Sequence, residues 1–423
     1  LYIFILINSS IGLERYNDGV SISNYFSGVI SLQDNKYKNS YEFFKTLENL
    51  EDKHTIYSKS YIETLVNNSK INEAFRYSNK LKKKGMSFFF SDIVIVSKFI
   101  KNGNFKKAND YLNSIESRNY TSLQELISQI IFSWVKVEES KLNYNEALKV
   151  FELINPRYKN IKNINNVFLN CYFDTANTEI KFKKLINDKN TDFSRYAFFY
   201  ANYLLKKDLT KKASLVLSEK LTDAPRNLLL NQFYLDIQQN KTNHLKNNFD
   251  CKNVSNIIAE LFYITANALS TQGIYSQSNF YINLSKYLNQ NFFSYNTLLA
   301  ENFVMVEDFQ KAKKIYFLLK KFGEYYSWHS SKQIAFLNIE ESKDDEAIRI
   351  LKIGYRNLNS PNVFQSYDFA NFLKNNEKFK EAIKYYTKVL KSISKTHELY
   401  PKAKDGRAIA YEQIGDWTKA EKD

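Results

Sequence analysis

The stretch that decides the fold is AENFVMVEDFQKAKKIY, residues 300–316. It places a small residue, Ala312, three positions after the aromatic Phe309 and four positions before the aromatic Tyr316. Side chains at this spacing share one face of a helix, and a small residue among them lets a second helix approach to about 8 to 10 Å. The stretch therefore predicts a helix packed closely against its neighbour.

The same pattern recurs along the chain, most clearly in residues 273–278, 377–382 and 415–420. The small residues that anchor it are Ser40, Ala74, Ala108, Ala147, Ala213, Ser278, Ala312, Ala347, Ala382 and Ala420. Five of the gaps between successive anchors are 34 or 35 residues, and two gaps of 66 and 65 each leave room for one diverged unit. Self-similarity at this period predicts about twelve helical hairpins stacked in an array.

Composition agrees with an all-α array. Only 10 Gly and 4 Pro occur among 423 residues, so the chain lacks the turn residues that many short strands would need. Hydrophobic residues make up 44% of the sequence, which is enough for a continuous core.

The repeat resembles the tetratricopeptide repeat (TPR) family from about Ser21 onward. Residues that match the family's consensus in the best units are Ala300, Phe303, Phe309 and Tyr316 in one unit and Ala408, Tyr411, Gly415, Trp417 and Ala420 in another. The resemblance implies an all-α, right-handed superhelical α-solenoid of about twelve TPR-like hairpins. It also implies that the first helices line a concave groove that binds proteins or peptides without a cofactor.

Two stretches fit the repeat poorly, residues 159–192 and 227–256. We therefore expect an N-terminal TPR-like array over 21–226, a degenerate unit or hinge over 227–256, and a C-terminal array over 257–423 that stops within its last hairpin. A diverged hairpin is an equally good interpretation of either stretch.

The chain opens on an apolar segment, Leu1 to Ile7, followed by the small-x-small sequence Ser10-Ile-Gly12. Residues 1–13 resemble the end of a signal peptide, so we predict an exported bacterial protein, periplasmic or envelope-associated. The alternatives are a truncated repeat helix and a cytoplasmic protein. Seven apolar residues are too few to cross a bilayer, which needs about 20. We expect Cys171 and Cys251, the only cysteines, to be separate buried thiols.

The motifs of common enzymes are missing. The four histidines stand in widely separated units, and no Gly-rich phosphate loop or Gly-x-Ser-x-Gly sequence occurs. Adjacent carboxylates such as Glu138 and Glu139 point about 100° apart on a helix and are expected to be solvated. The sequence predicts neither an enzyme nor a metal site.

Carrying the family's groove positions onto this sequence gives nine candidate partner-binding residues. The amides at position 9 of three first helices are Asn202, Asn267 and Asn371, and the aromatics at position 5 of the same helices are Phe198, Tyr263 and Tyr367. Amides can bind an extended peptide backbone through donor and acceptor together, and aromatics can stack its side chains. Side chains in the same frame that could meet a carboxylate or another anion are His329, Lys332 and Lys402.

We therefore predict a non-enzymatic scaffold in cell-envelope assembly that binds a protein or an extended, acidic peptide. The alternative is the docking arm of a glycosyltransferase-like enzyme whose catalytic domain lies beyond Asp423. The net charge of +15 leaves a nucleic-acid-binding array as a third possibility. Because the basic residues are scattered and not gathered in one stripe, we expect no nucleic acid partner.

Overall fold

A computed structural model describes residues 19–47, 50, 54–115, 120–242 and 245–423. The regular structure in these ranges is entirely helical, which confirms the predicted fold class. The helices are α1 (19–33), α2 (Tyr37–Lys45), α3 (Thr55–Asn67), α4 (Ile71–Lys83), α5 (Phe89–Lys101), α6 (Phe105–Ser114), α7 (Ser122–Glu139), α8 (Tyr144–Glu152), α9 (Lys159–Phe173), α10 (Thr178–Ile186), α11 (Arg195–Lys206), α12 (Thr210–Asp223), α13 (Leu228–Gln238), α14 (Val254–Ser270), α15 (Tyr275–Leu288), α16 (Tyr295–Met305), α17 (Phe309–Leu319), α18 (Glu324–Glu340), α19 (Asp344–Arg356), α20 (Val363–Asn375), α21 (Phe379–Ser392), α22 (Leu399–Gln413) and α23 (Trp417–Lys422). Short 3₁₀ turns cover Pro156–Tyr158, Leu245–Asn247 and Lys320–Phe322.

The small anchors lie at the contact between the two helices of a TPR-like hairpin. Each is the fourth residue of a second helix, and all except Ala420 are fully buried, with 0% of their surface exposed. Where the anchor is serine, its hydroxyl also donates to the first helix, as Ser40 Oγ does to the Gly28 carbonyl at 2.9 Å and Ser278 Oγ to the Ala266 carbonyl at 2.7 Å. The small residues therefore set the close approach that the sequence predicted.

The turn after each first helix contains one residue in the left-handed region of backbone conformation. These residues are Asn35, Ser69, Gly103, Lys141, Asp174, Asp208, Asn240, Gly273, Glu307, Ser342, Glu377 and Gly415. Their spacing stays between 32 and 38 residues and includes both stretches in which the small anchors fail. The described part of the chain thus contains twelve repeat turns, in agreement with the predicted number of hairpins.

Gly273 gives a test of this turn. An alanine Cβ there would meet no atom within 4 Å, but the residue has φ of +76°. Because an L side chain is strained in this conformation, Gly273→Ala should lower the free energy of unfolding by about 1 kcal/mol in a urea titration. The neighbouring exposed substitution Gln272→Ala serves as the control, and equal stability of the two variants would contradict the strain.

The described residues pack as two compact units that alternate along the sequence. Unit 1 comprises the described residues of Leu1–Val216 together with Asn240–Glu307, and unit 2 comprises Leu217–Gln239 together with Asp308–Asp423. This division differs from the predicted domains at 21–226, 227–256 and 257–423. The reason is that packing separates α13 from the segment that follows it, and that α14 to α16 join unit 1. The predicted N-terminal segment 1–13 lies outside the described residues.

The later helices of unit 1 pack against its N-terminal helices. α15 packs against α3 and α5, and α14 packs against α5 and α7. Residues more than 180 positions apart are hydrogen-bonded there: Asn279 Nδ2 donates to the Tyr37 hydroxyl at 2.8 Å, and Lys101 Nζ donates to the Leu288 backbone carbonyl at 3.1 Å. The N-terminal helices of unit 1 therefore hold a hairpin of the same chain.

A disulfide joins Cys171 on α9 to Cys251, with 5.8 Å between their Cα atoms. The prediction of two separate thiols is therefore wrong. The bond attaches residues 245–253, which we call the clip segment, to α9. Phe249 of this segment lies 5.4 Å from the ring of Phe168 and 4.5 Å from the ring of Phe199, measured between ring centroids. In the sequence, the clip segment occupies the place where the repeat would have a second helix after α13.

Unit 2 contains the hairpins α18–α19, α20–α21 and α22–α23, and α13 packs against α18. Its core is built around Trp328, Tyr355, Phe369 and Tyr386, all of them buried. Gly354 permits the close contact of α18 with α19, because a Cβ at this position would lie 2.7 Å from Ser331 Cβ. Among the described helices, none is both long enough and apolar enough to cross a membrane.

Candidate functional site

Two of the predicted groove residues bind their own chain in unit 1. Asn202 is only 2% exposed, and its side-chain amide donates to the Leu245 carbonyl of the clip segment at 2.8 Å. Phe198 is fully buried and stacks on Phe292 at 4.9 Å. The backbone that Asn202 contacts is therefore that of the clip segment in the same chain. Neither side chain is accessible to a partner.

The Tyr263 ring lies against a buried ion pair in unit 1, formed by Arg195 and Glu260. The Arg195 guanidinium lies 3.9 Å from the Tyr263 ring centroid and binds Glu260 with two hydrogen bonds of 2.7 and 3.0 Å. Burial lowers the pKa of Arg195, but Glu260, with smaller effects of Tyr263 and Tyr295, acts in the opposite direction, and the pKa lies above its ordinary value. Burial likewise raises the pKa of Glu260, and Arg195 acts in the opposite direction. We assign the pair as ionised, with the Tyr263 ring in cation–π contact with Arg195. Asn267, the remaining predicted residue of unit 1, is exposed.

In unit 2 the structure brings His329 and Lys332 together in an open pocket. The first helices α13, α18 and α20 form it, together with the turn before α13. It holds about 420 Å³ of empty space, part of it open solvent, and its apolar lining includes Pro225, Leu228 and Phe364. We call this site the unit 2 pocket.

Two cations at the unit 2 pocket share one carboxylate. Arg226 Nη1 donates to Asp368 at 2.8 and 3.1 Å, and Lys332 Nζ donates to the same carboxylate at 2.6 Å. The Arg226 guanidinium also lies over the ring of Phe364, 5.0 Å from its centroid. The Arg226 and Lys332 side chains remain 48% and 32% exposed, whereas Asp368 is 15% exposed. The cations therefore face the opening, and the acid lies behind them.

Three side chains that line the unit 2 pocket contain a nitrogen without a hydrogen-bond partner. They are Trp328 Nε1, His329 Nε2 and Gln365 Nε2, each with almost no exposed surface. Trp328 and Gln365 are each 4% exposed as residues. A buried polar group without a partner costs about 1 to 3 kcal/mol. These nitrogens lie beneath the pocket surface, so the donors that a ligand can reach are those of Arg226 and Lys332.

His329 is a neutral side chain at physiological pH. Burial, with a smaller effect of Lys332, lowers its pKa to about 4. The sequence grouped it with lysines that meet an anion, but a neutral imidazole contributes only one donor and one acceptor.

The lowered pKa of His329 predicts how the stability of unit 2 depends on pH. The unfolded chain binds a proton at this residue near pH 6.5, whereas the folded chain binds it only near pH 4. The contribution is therefore fully present above pH 6.5 and is lost as the pH falls toward 4, by up to about 3 kcal/mol. Urea titrations at pH 7 and pH 4.5 should show a smaller loss for His329→Gln than for wild type. An equal loss would show that the pKa of His329 is not lowered in the folded state.

The remaining predicted residues of unit 2 lie on α20 and α22. Tyr367 is half-buried, 6.1 Å from the ring of Tyr386, and Asn371 accepts a hydrogen bond from the Tyr386 hydroxyl. Lys402 is exposed on α22. These three residues stay predictions for partner binding.

Sequence reasoning missed Arg226, Trp328 and Asp368. Arg226 lies in a turn outside the repeat frame, and Asp368 follows the predicted Tyr367 directly. One signal was available: only 9 of the 60 basic residues are arginine, so each arginine stands out from the lysine-rich background. Carboxylate partners occur in the described structure for Arg195, Arg226, Arg349 and Arg407.

Within the described ranges, no group of three or more His, Cys, Asp or Glu residues could hold a metal ion. Among the residues that line the unit 2 pocket, no nucleophile is hydrogen-bonded to a neighbouring base. The accessible lining of this pocket includes two cations and one carboxylate.

Comparison with known proteins returned no matching family model and no matching curated sequence. The solved structures that resemble the chain include the APC/C hetero-tetramer Cut9–Hcn1, at 12% identity over 95% of this chain and 85% of that one, with a TM-score of 0.29. Yeast Tom70 is 15% identical over 95% and 90% of the two chains, with a TM-score of 0.29. The P58(IPK) TPR domain is 16% identical over 93% and 98%, with a TM-score of 0.24. At such TM-scores these likenesses carry no argument about function.

Proposed function

We propose that this chain is a non-enzymatic scaffold that binds a protein or an extended peptide on the first helices of unit 2. The observation that carries the proposal is the unit 2 pocket, where the partly exposed cations Arg226 and Lys332 lie beside apolar residues in an open site. Backbone carbonyls of an extended segment are acceptors for the N–H groups of these two side chains.

The contrast with unit 1 supports this location. There the predicted groove residues Asn202 and Phe198 already contact the clip segment and Phe292, although Asn267 is exposed. In unit 2 the corresponding residues Tyr367 and Asn371 are only half-buried. We assign partner binding to Arg226, His329, Lys332, Tyr367, Asn371 and Lys402.

Partner capture by crosslinking in the source cells tests this assignment. Arg226→Ala combined with Lys332→Ala should abolish the capture of partners that the wild-type chain crosslinks. The matched control, Lys343→Ala with Arg349→Ala, removes the same charge from the α18–α19 turn and the second helix α19 and should capture them normally. Equal capture by both double variants would place the binding surface elsewhere.

The same proposal includes export from a bacterial cell and a role in envelope assembly. A buried disulfide is typical of proteins in oxidising compartments, and the apolar start of the sequence resembles the end of a signal peptide. The redox state in cells gives a direct test. Cells are quenched in acid, and the protein is then denatured and alkylated at neutral pH. Cys171 and Cys251 should remain unmodified, whereas modification of both thiols would indicate a reducing compartment.

A further inference from the structure

The unit 2 pocket contains more cationic donors than its single acid can satisfy. Asp368 is the only acid among the lining residues, and it faces both Arg226 and Lys332. Arg226 uses only Nη1 on Asp368, so within the described structure its Nε and Nη2 groups bond to no side chain or backbone atom. Lys332 Nζ can likewise donate two further hydrogen bonds beside the one to Asp368.

The charges at this site select an anion with a single charge. Two cations and one carboxylate leave a net charge of +1 around the opening, which one further carboxylate neutralises. Arginine and lysine form their strongest hydrogen bonds with such acceptors. The Phe364 ring and the hydrogen bonds to Asp368 hold the Arg226 guanidinium, so part of the ordering that a ligand would require is already present.

The apolar residues of the lining indicate which group of the ligand lies beside its carboxylate. Pro225, Leu228 and Phe364 line the same space as Arg226. An apolar side chain beside the carboxylate would cover these residues, whereas a small inorganic anion would leave them exposed. A peptide provides both groups on one molecule.

We propose that the unit 2 pocket binds a peptide carboxylate through the free N–H groups of Arg226 and Lys332, with Asp368 as the fixed counter-charge that positions the two cations. The carboxylate comes either from the C-terminus of the partner or from an Asp or Glu side chain. This inference rests on the proposed peptide-binding function and adds the chemistry of the ligand.

The role of Asp368 predicts that two substitutions at the site change the peptide affinity in opposite directions. Arg226→Ala removes a charge-assisted contact and should weaken binding about tenfold or more. Asp368→Asn raises the local charge from +1 to +2 and should tighten the binding of an acidic peptide severalfold. A ligand bound through its own cation would instead be weakened by Asp368→Asn.

The test is a selection of random decapeptides on the full chain, from one library displayed with free C-termini and one with internal peptides. Enriched peptides should share a carboxylate, and fluorescence anisotropy of synthetic copies should show weaker binding to Arg226→Ala, tighter binding to Asp368→Asn and no change with Arg349→Ala. Amidating the C-terminus and changing Glu to Gln in these peptides identify the source of the carboxylate. Thermal unfolding checks each variant, and Lys332→Gln replaces Arg226→Ala if the latter does not fold.

Two results overturn different parts of the proposal. Enriched peptides without a shared carboxylate, or with unchanged affinity for Arg226→Ala and Lys332→Gln, would refute the carboxylate site while peptide binding stands. No enrichment on the wild-type chain would refute the peptide-binding function itself, and the carboxylate site with it.

Discussion

Replacing Cys171 and Cys251 with serine should lower the free energy of unfolding of unit 1 by about 4 kcal/mol. The disulfide joins residues 80 positions apart, and closing a loop of this length restricts the unfolded chain by an amount of that order. The bond also holds the clip segment, whose Leu245 carbonyl accepts from Asn202 and whose Phe249 packs on Phe168 and Phe199.

Urea titrations followed by circular dichroism, with and without dithiothreitol, measure this effect. Dithiothreitol should destabilise the wild-type chain to the level of the double serine variant and should leave that variant unchanged. Equal stability of the oxidised wild type and the variant would show that the clip segment stays in place without the bond.

Glu260→Ala should lower the free energy of unfolding of unit 1 by about 3 to 5 kcal/mol. The Glu260 side chain is fully buried and the Arg195 side chain is 19% exposed, so removing the acid leaves a mostly buried cation without a counter-charge. Cation–π contact with Tyr263 remains but is worth less than the lost ion pair.

A second Arg–Glu pair with similar geometry provides the control. Arg349 donates to Glu346 at 2.8 and 2.6 Å, but both side chains are exposed. Glu346→Ala should therefore change the stability little, because water replaces the lost partner. The double variant Arg195→Met with Glu260→Leu should recover most of the loss caused by Glu260→Ala. A similar small effect of Glu260→Ala and Glu346→Ala would contradict the role assigned to burial.

The hairpin architecture could be predicted because the contact between two helices requires a small residue at a fixed place. Ala74, Ala312 and Ala382 show this requirement in the sequence and are fully buried in the structure. The turns were harder to recognise. Gly103, Gly273 and Gly415 mark three of them, but residues such as Lys141 and Glu377 adopt the same left-handed conformation without any sequence signal.

The contacts within unit 1 could not be predicted, because they join residues far apart in the sequence. The disulfide links a helix of one poorly matching stretch to a segment of the other, and no repeat pattern relates the two. The side chain of Asn202 was expected to bind a partner, yet its amide donates to Leu245 of the same chain. The pocket was found in part: the repeat frame gave His329 and Lys332, whereas Arg226 lies in a turn where that frame assigns no role.

Site-specific photo-crosslinking tests most directly whether unit 2 binds a partner through its first helices. A benzophenone side chain is placed at Tyr367 on α20 and, in a separate protein, at the exposed Phe317 on the second helix α17. We expect a discrete crosslinked partner from position 367 that is lost in Arg226→Ala, and none from position 317. Crosslinking from position 317 alone, or from position 367 equally well with Arg226→Ala, would contradict the proposed binding surface.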